Sequence, residues 1–126
     1  MKRWLLVSIF FLLALSFPTT GSAQGLCSGL PHPVICYAHE TLTVSNTAVP
    51  FTASVYAPGG KQGPEIAAVT LEGDNIRVWY DGGVPTSTVG QLIQQPVFWV
   101  CGGDSIRKFL AIRQTTDATL NIEYCR

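Results

Sequence analysis

Charge is scarce in this 126-residue chain: eight Lys/Arg and eight Asp/Glu make up 13% of residues, against 47% hydrophobic. So little charge beside so much apolar side chain excludes intrinsic disorder. A formal net charge of zero excludes an extended basic face, and with it a nucleic-acid partner. Beyond the first residues there is no second long apolar run, so the processed chain is not expected to span a membrane. No Asn-x-Ser/Thr sequon is present, and no stretch sustains helical apolar spacing over several turns. The length suits one domain, because a second core would be too small to stand alone.

The N-terminus has the layout of an export signal. Lys2 and Arg3 precede an apolar run at 4–17 and Pro18. Gly21 and Ala23 then occupy the −3 and −1 positions of a cleavage site before Gln24. The run is shorter than the roughly 20 residues of a transmembrane helix, although retention as an anchor is the alternative. A lipoprotein is excluded because Leu26, not a small residue, precedes Cys27. Removal of residues 1–23 takes Lys2 and Arg3 with it and leaves six basic against eight acidic residues, a charge of −2. The expected layout is a signal at 1–23, a cysteine-bearing segment at 24–40 and a β domain at 41–126. The expected location is secreted, periplasmic or extracellular.

Cys27, Cys36, Cys101 and Cys125 all lie in the exported part, where an even count implies two disulfides. A metal site is the competing reading, but the four are scattered and no Cys-x-x-Cys occurs. Pairing can be local, Cys27–Cys36 with Cys101–Cys125, or each N-terminal cysteine can staple to a C-terminal one. If 96–101, 106–113 and 118–125 form a meander, Cys101 and Cys125 flank one end of the middle strand. Two strand spacings separate them by nearly 10 Å, beyond the roughly 7 Å reach of a disulfide. The staple is therefore favoured.

Strand-like runs fall at 41–45, 51–57, 65–72, 75–80, 96–101, 105–113 and 118–125, separated by Gly-, Pro- and Asp-rich turns. That punctuation predicts an all-β, antiparallel β-sandwich or flattened barrel of about seven to eight strands. Residues 89–95 have room for one helical turn at most. Alternation puts Ile76, Val78 and Tyr80 on one face and Arg77 and Trp79 on the other, and groups Leu120, Ile122 and Tyr124. Both faces of 105–113 carry apolar residues, which predicts a central strand. Gly102-Gly103 predicts a tight hairpin and Asp81-Gly82 a turn. The apolar positions fill one two-layer core with no large internal ligand cavity.

Several of these segments form an ordered set. Ala68-Val69-Thr70-Leu71-Glu72 leads to Asn75-Ile76-Arg77-Val78-Trp79, then Asp81-Gly82-Gly83-Val84-Pro85-Thr86 and Gly90. It continues into Ile106-Arg107-Lys108-Phe109-Leu110-Ala111-Ile112-Arg113 and Ala118-Thr119-Leu120-Asn121-Ile122-Glu123-Tyr124. Over residues 41–124 this order resembles a small β domain of uncharacterised phage and prophage virion-associated proteins. The resemblance implies a sandwich-like fold and a structural or attachment role, with no catalytic residues to carry over. The signal peptide and the cysteines depart from that pattern.

Catalytic constellations are missing. His32 lies between Pro31 and Pro33, and His39 stands beside Glu40, which would point the other way on a strand. Both histidines are expected to be exposed rather than metal-bound. Gly-x-Ser-x-Gly is absent, and no free cysteine is expected. Most carboxylates fall at strand ends and turns, where Asp74, Asp81 and Asp104 are expected to accept backbone N–H groups rather than hold Ca²⁺. Arg77 and Arg113 are expected on an exposed strand face or paired with Glu72, Asp81 or Glu123. Trp79 and Trp99 alternate with Val78 and Val100, and core packing is the ordinary expectation for each; exposed together, Trp79 and Tyr56 or Tyr80 would instead make a platform for a sugar ring or a partner protein, with Arg77 beside it. The expectation is a non-enzymatic domain with no cofactor and a structural or attachment role. The alternative is a carbohydrate- or protein-recognition module. The partner would be a protein or a glycan, and homo-oligomerisation is left open.

Overall fold

The computed structural model of the protein describes Cys27 and residues 34–126. The expected signal at 1–23, His32 and most of the 24–40 segment lie outside the described residues. Eight strands follow one another: β1 (Cys36–Val44), β2 (Val49–Pro50), β3 (Ile66–Glu72), β4 (Ile76–Trp79), β5 (Gln91–Ile93), β6 (Val97–Cys101), β7 (Leu110–Arg113) and β8 (Ala118–Cys125). Among the described residues two short α-helices, α1 (Ala53–Tyr56) and α2 (Gly103–Lys108), and a 3₁₀ turn at Pro58–Gly60 interrupt them. The strands form two antiparallel four-stranded sheets, ordered β1-β8-β3-β6 and β2-β7-β4-β5. The protein is a small all-β sandwich, as the turn spacing predicted.

Period-two alternation builds the core. From the first sheet come Ala67, Val69 and Leu71, Phe98 and Val100, and Leu120, Ile122 and Tyr124, all buried. From the second come Ile76, Val78, Ile93 and Ala111. Each large apolar side chain so buried contributes about 1.5–3 kcal/mol. Aromatic rings close one end: Phe51 stacks on Phe109 at 4.0 Å between centroids, and Tyr124 meets Phe51 edge-on at 5.8 Å. The inward and outward sets of 75–80 and 118–125 are those expected from alternation.

Several segments fold otherwise. β1 begins at Cys36, ahead of the expected 41. The expected strand at 51–57 is instead the single turn α1, closed by Ala57 N–H donating to Ala53 O. That turn brings Tyr56 in beside Tyr124. The expected strand at 105–113 divides into α2 and β7. Asp104 pairs with Arg107 and Lys108 across one helical turn, and Ile106 and Phe109, three residues apart, both reach the core. β7 does lie inside its sheet, between β2 and β4. Gly102, at φ +88°, opens α2 rather than turning a hairpin. The 89–95 segment, which had room for one helical turn at most, carries β5, paired with β4.

The cysteines pair as staples, Cys27–Cys101 and Cys36–Cys125, and none is free. The reason differs from the meander argument in one respect. The strand separating Cys101 from Cys125 is β3, whose Ile66 lies opposite both. Cys36 lies directly opposite Cys125 across β1 and β8. No helix among the described residues is long and apolar enough to cross a membrane.

Candidate functional site

The outer faces of the two sheets have different fates. On the second sheet, Arg77 lies between Leu92 and Ile112, and Trp79 lies opposite Leu110. The 81–90 loop folds back over this face: Gly83 sits against the Trp79 indole, and Gly90 against Arg77 and Pro85. Gly90 has φ +127°, and any Cβ there would approach Pro85, Val78 O and Arg77 within 3.3 Å. The Arg77 guanidinium donates through Nη1 to Gly90 O at 3.0 Å, while its Nε is buried without a partner. Arg77 thus anchors a loop instead of lying exposed or pairing with Glu72, Asp81 or Glu123.

The expected aromatic platform is accordingly not assembled. Tyr56 is only 6% exposed and belongs to the core, because α1 turns it inward. Tyr80 is half-buried against Phe109, and burial raises its phenol above the ordinary tyrosine pKa. Trp79 is half-buried beneath its loop.

Among the described residues, no loop folds over the outer face of the first sheet. Its strand register sets side chains in rows, each drawn from β1, β8, β3 and β6 in turn. One row is His39, Glu123, Ala68 and Trp99; the next is Thr41, Asn121, Thr70 and Val97. Beyond these lie Thr43, Thr119 and Glu72. At the other end Cys36, Cys125, Ile66 and Cys101 form a row in which both disulfides meet. The staples therefore wall one end of the face and bury Ile66 between them.

Trp99 is 44% exposed and Val97 45%, although the sheet's inward residues are buried. On β3 the central positions are Ala68 and Thr70, so no long side chain rises in the middle. A trough of about 320 Å³ runs here, lined by His39, Thr41, Ala68, Thr70, Asn121 and Glu123 among others. Thr41 Oγ1 donates to Asn121 Oδ1 at 2.9 Å, which orients the amide so that its NH₂ is left to donate elsewhere. Around the β6 edge, Trp99 also lines a groove of about 310 Å³ with Tyr80, Gln91 and Ser105. The rows contain the carboxylates of Glu72 and Glu123 and no Lys or Arg.

Other polar groups serve the fold. Asp74 accepts from Thr115 N–H at 2.8 Å and Thr116 N–H at 2.6 Å, and these backbone donors, Thr116 first, hold its carboxyl below the ordinary range. Asp81 accepts from Gly83 N–H at 2.9 Å. The Lys108 ammonium, followed by Arg107, lowers the carboxyl of Asp104. Arg113 pairs with Asp117 rather than with any expected carboxylate. Among the described residues no three His, Cys, Asp or Glu side chains converge as a metal site. Glu40 points inward, as alternation required, where it accepts from Tyr124 Oη–H and, at 2.9 Å, from Thr52 N–H.

Of the expected surface residues, only Tyr80 comes near the open site, through the edge groove. His39 and Glu123 come together across 84 residues of sequence, and local spacing cannot show that. The detectable signal was alternation in 96–101, which sets Val97 and Trp99 apart from Phe98 and Val100. No family model, no curated protein and no solved structure matches the chain.

Proposed function

We propose that the protein is an exported, non-catalytic recognition domain that attaches to a surface partner through the outer face of its β1-β8-β3-β6 sheet. One observation carries the reading. The second sheet half-buries its outward Trp79 under its own loop, whereas the first leaves Trp99 and Val97 exposed beside a row of polar side chains. An exposed indole flanked by fixed hydrogen-bonding groups is the composition of a binding surface. The signal-like N-terminus supports export. Two disulfides that pin Cys27 and Cys36 to the end of that face are compatible with an oxidising location. A structural role of the kind expected of virion-associated domains would use the same face for attachment.

Thr70→Arg places a long cation in the centre of the trough, on a solvent-facing strand position. Labelled wild-type protein should be retained on isolated cell envelopes or particles of the producing source, and T70R and W99A should be washed off. Equal retention of all three, with each variant folded by circular dichroism, would overturn the reading.

A further inference from the structure

We infer that the open face takes a neutral, unbranched polysaccharide, with Trp99 stacking on one sugar ring and Glu123, Asn121 and His39 bonding the hydroxyls of the next. The inference rests on the recognition reading of that face and names its ligand class. From Trp99 to His39 the row spans three strand spacings, about 14 Å, which is longer than a single ring. Ala68 and Thr70 leave the middle strand low, so an extended chain can lie across β3 without meeting a ridge.

The chemistry along this path selects the class. A pyranose presents an apolar C–H face to an indole and a rim of hydroxyls that donate and accept. Trp99 supplies the first partner. The Glu123 carboxylate accepts, the Asn121 amide donates, and the Thr41 and Thr70 hydroxyls do either. Two carboxylates and no Lys or Arg in the rows give the face a negative field, which repels sulfated or uronic-acid chains and nucleic acid. The trough is too open to enclose a small molecule, and its shallow form suits a polymer bound along its length.

Trp79→Phe in the exported chain leaves Trp99 as the only indole, because Trp4 departs with residues 1–23. Its fluorescence should be titrated with chitohexaose, cellohexaose, heparin and oligolysine. We expect saturable quenching or a blue shift with a neutral hexasaccharide and none with heparin. Calorimetry on the Trp79-containing chain should show affinity falling about thirtyfold in Trp99→Ala and about tenfold in Glu123→Gln. Binding of oligolysine alone, sensitive to Thr70→Arg, would overturn the glycan and leave the recognition face standing. The same holds if no probe binds yet envelope retention remains sensitive to Thr70→Arg. If retention too is insensitive, both readings fall.

Discussion

Glu40 is the residue on which one end of the core depends. It lies on the inward face of the edge strand β1, where a hydrophobic residue would be expected. Its carboxylate is held by the Tyr124 hydroxyl and by Thr52 N–H, so it ties β8 and the start of α1 to β1. A carboxylate in such a place is tolerated only while its partners remain. Glu40→Ala strips two donors of their acceptor and should cost about 2–3 kcal/mol in urea unfolding. Tyr124→Phe, which leaves the Thr52 bond in place, should cost less. Equal stability of Glu40→Ala and wild type would show that water satisfies these groups.

The tyrosines add a pH dependence of definite sign. Burial raises the phenol pKa values of Tyr124, Tyr80 and Tyr37 above their ordinary value, and for Tyr124 the Glu40 carboxylate reinforces the effect. The folded state therefore keeps protons that the unfolded chain gives up. Their contribution is complete below about pH 10 and is lost as pH rises above it. Tyrosinate absorbance of the native protein should lag that of the urea-unfolded chain, and stability should decline over the same interval. Coincident titration curves would contradict these burials.

At the scale of elements, the 81–90 loop decides which sheet face is free. Gly90 is its hinge, because φ +127° suits no side chain and Arg77, Pro85 and the Val78 carbonyl crowd the site. Gly90→Ala should cost about 1–3 kcal/mol and increase the exposure of Trp79, read as a red shift of its emission. Unchanged stability and emission would show that the loop does not depend on this contact.

The same loop shows what the sequence could reveal and what it could not. Alternation at 75–80 set Ile76 and Val78 on the face opposite Arg77 and Trp79, and the structure turns the first pair inward. It carried no information about the ten-residue loop that follows and folds back over the outward pair. The helical turn at 103–108, read from the sequence as part of a strand, had a cue in Asp104, Arg107 and Lys108, whose i,i+3 and i,i+4 charges fit a helix better than a strand. Strand-forming Ile106 and Phe109 concealed it. The open face was the least legible feature, because it joins β1, β8, β3 and β6, strands whose pairing is non-local in every row. Its one sequence cue was Val97 and Trp99, on alternate positions of an uncharged strand.

On the scale of the whole molecule, the two disulfides close long loops, with sequence separations of 74 and 89 residues. Loops of this length place each bridge at the upper part of the usual stabilisation of about 2–5 kcal/mol. The eight-pair ladder of β1 on β8 and the shared core do not depend on the sulfurs. Replacing Cys36 and Cys125 together by Ala should therefore lower the unfolding free energy read in urea by that order while near-UV circular dichroism remains native-like. Loss of the near-UV signal would show that the staple, rather than the core, specifies the fold. Because both bridges meet at one end of the open face, the variant should also weaken retention on envelopes.

In the proposed division of labour, one face of the sandwich recognises and the other is covered. Amide chemical-shift mapping with a neutral hexasaccharide and ¹⁵N-labelled protein tests it most directly. Shifts should concentrate at His39, Ala68, Thr70, Trp99, Asn121 and Glu123, with Arg77, Trp79 and Ile112 unmoved. Shifts centred on Arg77 and the 81–90 loop, or none in the rows that end at Trp99, would contradict it.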